Sequence, residues 1–344
     1  MFEQIKNLFK RNDKEYLSCR HLHGGITFIH TAFRTCCSNK QGVTFVENYH
    51  GEDIDWKKIS KKRKSVIENC KKGILPHNCI GCVDLEKKKW SNHKLIDNIY
   101  LNHWDHCNCG CVYCISGAQG QFLQKEPKPS KYYEVYKHLE QLYKLKMISP
   151  DVHVEMIGGD LTVLDETDKI INLIIDNGAG DMSFHSSCIY YCKGIERALK
   201  EVKHVNFDFS IDCGNRELYK KIKRIDAFDD VVANLKRYIA VSDNAINAMD
   251  AKYIIVDGYN DSIEAIDEWI NLIHSLGIKR AKVDVNFKRF FPEFNHPDPK
   301  VPKHYYDIYA HYKKRISELG IQDGCWEFSR RVMEEGGIPK SYLQ

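Results

Sequence analysis

The stretch Ile99-Tyr-Leu-Asn-His103, followed after three residues by Cys107-Asn-Cys109-Gly-Cys111-Val-Tyr-Cys114, decides how the rest of the chain is read. A run of strand character leads into a loop with four thiols packed between positions 107 and 114. Taken as Cys107, Cys111 and Cys114, the spacing is CxxxCxxC, with Tyr113 just before the last cysteine. Three thiolates on a cubane leave one iron without a protein ligand, and an open coordination position is what a metal needs to act on a bound molecule. A loop directly after a strand of a βα fold is also where such folds place active sites. Cys109 is read as a bystander.

From Asn98 onward, short β-branched or aromatic runs alternate with amphipathic helical stretches, the pattern of repeated βα units on a parallel sheet. Six strands are expected, at 99–103, 152–157, 182–186, 205–211, 252–256 and 281–287. Between them lie helical stripes such as Tyr132, Val135, Tyr136, Leu139, Leu142 and Tyr143, then Ile263, Ile266, Ile270 and Ile273, then Tyr305, Tyr309, Tyr312, Ile316 and Leu319. Asp261 or Ser262 is placed to cap the second of these, with Glu264 completing a capping box from Asp261, and Gly277 and Gly320 sit just past helix ends. Six units fall short of the eight of a closed barrel, so the expected fold is α/β, a partial (β/α)6 TIM-like barrel.

Before Asn98 the pattern changes to scattered cysteines, several glycines and one basic helix, Trp56 to Lys72. Residues 1–97 carry a net charge of +8 and the remainder −4, which suggests two units. The domain limits expected are 1–97 for a small Cys-rich unit, 98–320 for the barrel and 321–344 for a tail. A small unit with few apolar residues needs a staple, and a metal cluster can supply it. Cys79-Ile-Gly-Cys82 is a metal-type CxxC pair that Cys19 with Cys37 would complete, Cys36 being the competitor for the fourth place, while Cys70 is a thiol of the basic helix.

The whole chain has 344 residues, 43% apolar and 28% charged, which excludes disordered and collagen-like classes. Its apolar runs are far shorter than the roughly 18 residues of a membrane span. Residues 1–14 lack the apolar core of a secretory signal. A total of 14 cysteines is too sparse for a small disulfide scaffold and favours metal or redox chemistry in a reducing cytoplasm. The basic helix is read as a solvated face and no nucleic-acid partner is expected. The stripe Phe2, Ile5, Leu8 and Phe9 is read as a docking helix on the protein's own surface.

The cysteine loop, its aromatic and the βα repeat together resemble the radical S-adenosylmethionine (SAM) enzymes. Further segments follow in matching order. Gly158-Gly159-Asp160 after the second strand is similar to the family's GGE segment, with Asp in place of Glu. Ser210-Ile211-Asp212 after the fourth resembles its ribose- and carboxylate-contacting segment, with Arg224 about where a helical arginine reaches the cofactor, and Ile255-Val256-Asp257-Gly258 stands at its fifth-strand motif. The resemblance implies a [4Fe-4S] cluster on Cys107, Cys111 and Cys114. It also implies SAM held by Tyr113, Gly158, Gly159, Asp160, Ser210, Asp212 and Arg224. An electron donor such as flavodoxin or ferredoxin follows, together with reductive cleavage of SAM to a 5′-deoxyadenosyl radical that takes hydrogen from a substrate. The N-terminal cysteines look like a SPASM or twitch auxiliary domain placed before the barrel instead of after it, which implies a second [4Fe-4S] cluster.

Strand alternation speaks to the substrate. Val205, Phe207, Phe209 and Ile211 should face outward helices, and Asn206, Asp208, Ser210 and Asp212 the interior. The sixth strand sets Lys282, Asp284 and Asn286 against Val283, Val285 and Phe287, and the third sets Ser183 and His185 against Met182 and Phe184. An interior this polar suggests a hydrated cavity and a polar substrate, a sugar or glycan precursor or a peptide, with Asp208, Asp284 and His185 as candidate catalytic groups. The alternative is that these charges pair with one another as a polar floor. The rival class for the whole chain is a non-catalytic binding protein stapled by zinc at its two CxxC pairs.

Overall fold

A computed structural model describes residues 14–29, 32–36, 42–49, 52–82, 84–90, 95–104, 106–114, 135–242, 244–285 and 302–324. Cys37, Cys325, Tyr132, Asn286, Phe287 and the stripe at 2–9 lie outside the described residues. The chain forms two compact units, Met1–His103 with Lys131–Val154, and Trp104–Ser130 with Glu155–Gln344.

The first unit opens with strand β1 (Tyr16–Ser18) and continues through β2 (Gly25–Ile29), β3 (Ala32–Arg34), β4 (Thr44–Val46), β5 (Glu86–Lys88), β6 (Ile96–Asn102) and the start of β7 (Ile148–Met156). Strands β1 and β5 form a two-stranded antiparallel pair. β2 runs parallel to β6, from Gly25 opposite Asn98 to Ile29 opposite Asn102, and β3 and β4 extend the sheet antiparallel to it. The sequence does not announce β2, because Gly25 to Phe28 are all buried and a strand covered on both faces shows no alternation. Glycine is needed where the chain enters β2, since a Cβ on Gly25 would lie 2.4 Å from the Thr35 carbonyl oxygen.

The basic helix Trp56–Lys71 starts at Asp55, whose side chain accepts from the Lys58 N–H at 3.0 Å. It buries Trp56, Ile59 and Cys70, while Lys57, Lys58, Lys61, Lys62 and Lys64 face solvent. Arg63 is the exception, donating to the carbonyls of His23 and Gly25 at 3.0 and 2.6 Å. Trp56 and Phe33 form an aromatic group with Tyr49 and His138, the last from helix Val135–Lys144.

The second unit carries β8 (Asp181–Ser186), β9 (His204–Ser210), β10 (Met249–Ile255), β11 (Arg280–Val285) and β12 (Gln322–Asp323), each parallel to the next. Helices Thr167–Asp176, Lys193–Glu201, Arg216–Lys223, Phe228–Ile239, Ile263–Ser275 and Lys303–Glu318 alternate with them. The α/β class with a mostly parallel sheet is therefore the one expected, and β6 to β11 fall where the six strands were placed. Strand β7 starts four residues early, at Ile148. β12 lies beyond Gly320, so the sheet continues into the segment read as tail, where Gly324 N–H donates to the Ala281 carbonyl at 2.7 Å. Phe207 meets Phe184 and the Tyr238 ring of a covering helix, which confirms the outward register of β9. One capping detail differs: Ser262 caps its helix by accepting from Ala265 N–H, while Asp261 turns back to accept from Gly258 N–H, so no capping box forms from Asp261.

His138 is fully buried, its Nε2 2.7 Å from the Tyr49 hydroxyl, and burial depresses its pKa to about 4 from an ordinary 6.5. A depressed histidine contributes stability that is present above pH 6.5 and lost as the pH falls toward 4, ~3 kcal/mol in all. Denaturant unfolding of the metal-free protein should therefore weaken over that window, and His138→Gln should flatten this part of the profile.

Candidate functional site

The cysteine loop is fastened at both ends by backbone hydrogen bonds within the second unit. At its start, the carbonyls of Trp104 and His106 accept from Gly159 N–H at 2.8 Å and Asp160 N–H at 2.9 Å. At its far end, the carbonyls of Lys223 and Ile222 accept from Gly110 N–H at 2.8 Å and Val112 N–H at 3.0 Å. The last carbonyls of a helix have no partner inside it, so the end of Arg216–Lys223 is free to serve as this clasp. Cys107, Cys111 and Cys114 are all half-buried.

Beneath the clasp the buried Asp212 and Lys223 meet the half-buried Tyr113. Tyr113 Oη donates to Asp212 Oδ2 at 2.5 Å, Lys223 Nζ donates to Tyr113 Oη at 2.6 Å, and Lys223 Nζ also pairs directly with Asp212 Oδ2. The other oxygen of Asp212 accepts from Ile254 N–H at 2.8 Å, on strand β10. Burial alone would strip Lys223 of its proton, but the charges of Asp212 and Cys111 outweigh it and hold the ammonium charged. Burial and the Asp212 carboxylate push the Tyr113 hydroxyl well up, keeping it a donor. Asp212 adopts a left-handed backbone, φ 59°, a strain of ~1–3 kcal/mol that persists only where surrounding contacts over-determine it. Asn260 supplies part of that constraint, donating to the carbonyls of Asp212 and Ile254 at 2.9 and 2.8 Å.

Of the other residues singled out from sequence, Gly158 follows β7 with φ 123°, a conformation open to glycine alone. Asp160 is almost fully buried and accepts from Thr162 N–H at 3.0 Å, Ser186 Oγ at 3.0 Å and Ser187 N–H at 2.9 Å, as well as from both neighbouring hydroxyls. Its carboxylate is thus spent on shaping its own turn and the end of β8. Ser210 is half-buried as the last residue of β9. Arg224 is exposed, at a left-handed helix cap, so the cationic side chain brought to the site is Lys223 and not Arg224. The helical period was the available signal, because Tyr219, Ile222 and Lys223 share one buried face. Cys109 lies inside the same loop. It is buried against Cys107 and Cys111, and its hydrogen bond lowers Cys111 to about 7 while its own thiol is pushed well up.

The charged interior is paired. Lys282 Nζ meets Asp208 at 2.6 Å, Lys252 meets Asp284 at 2.8 Å, Arg280 meets Asp250 at 3.0 Å, and His185 lies 3.3 Å from Asp208 and 3.5 Å from Glu155. Asp208 and Asp284 are nearly inaccessible, whereas the side chains of His185, Glu155 and Lys252 keep 28%, 24% and 17% of their surface. Asp208 and Asp284 therefore sit behind the accessible groups as counter-charges, the pairing that the sequence reading held as the alternative to acids facing a cavity.

Three half-buried thiols in one clasped loop, Cys107, Cys111 and Cys114, are a donor set of the kind an iron–sulfur cluster takes. A separate group of possible ligands among the described residues is Asp257, Asp261 and His304, whose ligand atoms lie within 4.8 Å of one another.

A family model described as the Radical SAM superfamily matches residues 101–273. Among curated proteins, the chain is similar to a GTP 3',8-cyclase of Clostridium botulinum, 23% identical over 199 residues and 57% of each chain. It is also similar to a probable dual-specificity RNA methyltransferase RlmN of Lachnospira eligens, 25% identical over 191 residues, 52% of this chain and 51% of that one. The matched part thus spans a little over half the length of these relatives. Among solved structures, Streptococcus suis SuiB bound to the precursor peptide SuiA aligns over 83% of this chain and 56% of that one, with 13% identity and a TM-score of 0.49.

Removing one partner of a buried ion pair costs ~3–5 kcal/mol, and an exposed substitution usually less than ~0.5 kcal/mol. Lys223→Met should destabilise the metal-free protein by the larger amount in anaerobic denaturant titration, and Arg224→Met should leave the midpoint nearly unmoved.

Proposed function

The chain belongs to the radical SAM superfamily, and on that premise we propose that it is an enzyme that cleaves SAM reductively and directs the resulting radical at a polar substrate. The observation that carries this reading is the CxxxCxxC loop clasped between the Gly158-Gly159-Asp160 turn and the end of helix Arg216–Lys223. When bound, a [4Fe-4S] cluster and SAM supply a 5′-deoxyadenosyl radical able to abstract hydrogen. Cys107, Cys111 and Cys114 would hold the cluster, leaving one iron position open to SAM. Tyr113 and Lys223 keep the loop seated and place a fixed positive charge beside the thiolates, which favours their ionised form. The Gly158-Gly159 turn and the end of β9 at Ser210 would receive the cofactor, with Asp160 and Asp212 acting through the backbone they hold in place.

For the substrate, His185, Glu155 and Lys252 are the groups of the charged layer with accessible heads, and they favour a polar molecule that exchanges hydrogen bonds with them. One relative is named for GTP and another for RNA, so phosphate-bearing substrates fall within this reading. Electrons would come from a small reductant protein in a reducing compartment; among the described residues no helix is long and apolar enough to cross a membrane.

Anaerobically reconstituted protein should be brown and, with dithionite, convert SAM to 5′-deoxyadenosine; Cys107→Ala, Cys111→Ala and Cys114→Ala should each abolish release. A colourless zinc protein with no cleavage would support the zinc-stapled rival instead. His185→Gln and Lys252→Met should lower product formation at least tenfold once the substrate is known, while deoxyadenosine release continues. Equal loss of both would show that the charged layer serves the fold and not the substrate.

A further inference from the structure

The charged layer of the second unit holds two acids that face each other. Asp208 of β9 and Asp250 of β10 stand opposite in the parallel register of the two strands, and both are almost fully buried. Like charges on paired positions of adjacent strands repel, and burial removes the water that would screen them. Two carboxyls in this position relieve the repulsion by keeping one proton, so that one ionises and the other does not.

The hydrogen bonds around the pair leave a place for that proton. On Asp208, Oδ2 takes the contacts of Lys282 Nζ at 2.6 Å and His185 Nδ1 at 3.3 Å. Asp208 Oδ1 is buried and accepts from no donor among the described residues. Asp250 Oδ1 is in the same state, since Arg280 Nε lies 3.0 Å away without directing its N–H at it. The two carboxyls are hydrogen-bonding neighbours, so a proton on one gives the other the donor it lacks. Burial first, then the charge of Asp208, hold Asp250 up at about 6 against an ordinary 3.8, with Arg280 and Lys282 pulling it down.

The charges of the layer ask for the same proton. Among the described residues, the carboxylates of Glu155, Asp208, Asp250 and Asp284 face the fixed cations Lys252, Arg280 and Lys282, one fewer. The remaining titratable group is His185, whose Nδ1 faces Asp208 and whose Nε2 lies 3.5 Å from Glu155. An imidazole between two carboxylates sets a lone pair against one of them unless both nitrogens carry a proton. One proton thus has two homes in the layer, the Asp208–Asp250 pair and His185, and Asp208 touches both.

We infer that Asp208 and Asp250 share a proton that His185 exchanges with the substrate, which makes the charged layer a general acid–base relay. This exchange rests on the reading that a polar substrate meets the accessible heads of the layer. It makes His185 the catalytic acid–base and Asp208 and Asp250 the positioning residues that refill it. In the acid direction the Nε2 proton leaves for the substrate, the electron pair stays on Nε2, and the proton of the pair passes through Asp208 to Nδ1. The base direction is the reverse; one proton moves, no electron is transferred, and solvent restores the layer afterwards. The substrate it suits is one that gains or loses a proton at a hydroxyl, amine or amide in the course of the radical reaction.

The test titrates the full chain, reconstituted without oxygen and isotope-labelled at the aspartate side-chain carboxyls, by infrared spectroscopy. One carboxylic acid band should persist at about pH 5, where ordinary aspartates are already ionised. It should be lost around pH 6. Asp250→Asn should remove the band and Asp284→Asn should keep it. Asp208→Asn should move its loss to lower pH, because the facing charge is gone. His185→Gln should move its loss to higher pH, because the pair is then the proton's remaining home. Absence of the band from the wild-type protein at about pH 5, or its persistence in Asp250→Asn, would overturn the shared proton. A band unmoved in His185→Gln would overturn the relay. None of these readings involves SAM, so the relay can fail while deoxyadenosine release succeeds, and the reverse.

Discussion

Everything at the site rests on one buried charge pair, Asp212 with Lys223, shared with the Tyr113 hydroxyl. Isolated in a dry interior, either charge would be expelled or neutralised. Here the carboxylate also takes a backbone N–H from Ile254, and the ammonium has a hydroxyl as second acceptor, so the charges are compensated by directed partners. Because each group comes from a different segment, the pair ties the cysteine loop to the end of β9, to β10 and to the helix whose last carbonyls clasp the loop. A single electrostatic knot thus sets where three thiolates stand.

The interior of the second unit follows the same logic at larger scale. Outward positions of β8, β9 and β11 are apolar and meet helices, whereas the inward ones carry charges that would be costly singly and are affordable in pairs. The compensation is uneven. Burial and the nearby Asp208 raise Asp250 to about 6 even with Arg280 beside it. His185 and Glu155 stay partly open to solvent. The gradient runs from sealed pairs to accessible heads, and it is the accessible end that can exchange partners with a ligand.

Much of this could be read from residues alone. Alternation in Val205 to Ile211 placed β9 and both its faces, and the thiol spacing of 107–114 marked the loop that the helix end clasps. What the residues did not disclose was governed by tertiary contact. Strand β2 is hidden because both its faces are covered. Lys223 looks like one more cation in a basic run until the buried face of its helix is counted. Asp160 reads as a cofactor contact, yet the turn it sits in consumes its oxygens. Asp208 and Asp284 read either as catalytic acids or as members of a paired floor, because a sequence shows a charge without showing its partner. Cys36 and Cys37 are adjacent, and spacing cannot choose between them.

The clasp on the cysteine loop also has a temporal side. The groups that hold Tyr113 lie 99 and 110 residues further along the chain. A ribosome adding ~5–20 residues each second needs ~5–20 s to reach them after the loop has been made. For that interval the four thiols belong to an unfastened segment, with neither the helix carbonyls nor the ammonium in place. Insertion of metal into a shaped loop is therefore a late event in the life of the chain, and the thiols must be kept reduced until the second half of the molecule arrives to receive them.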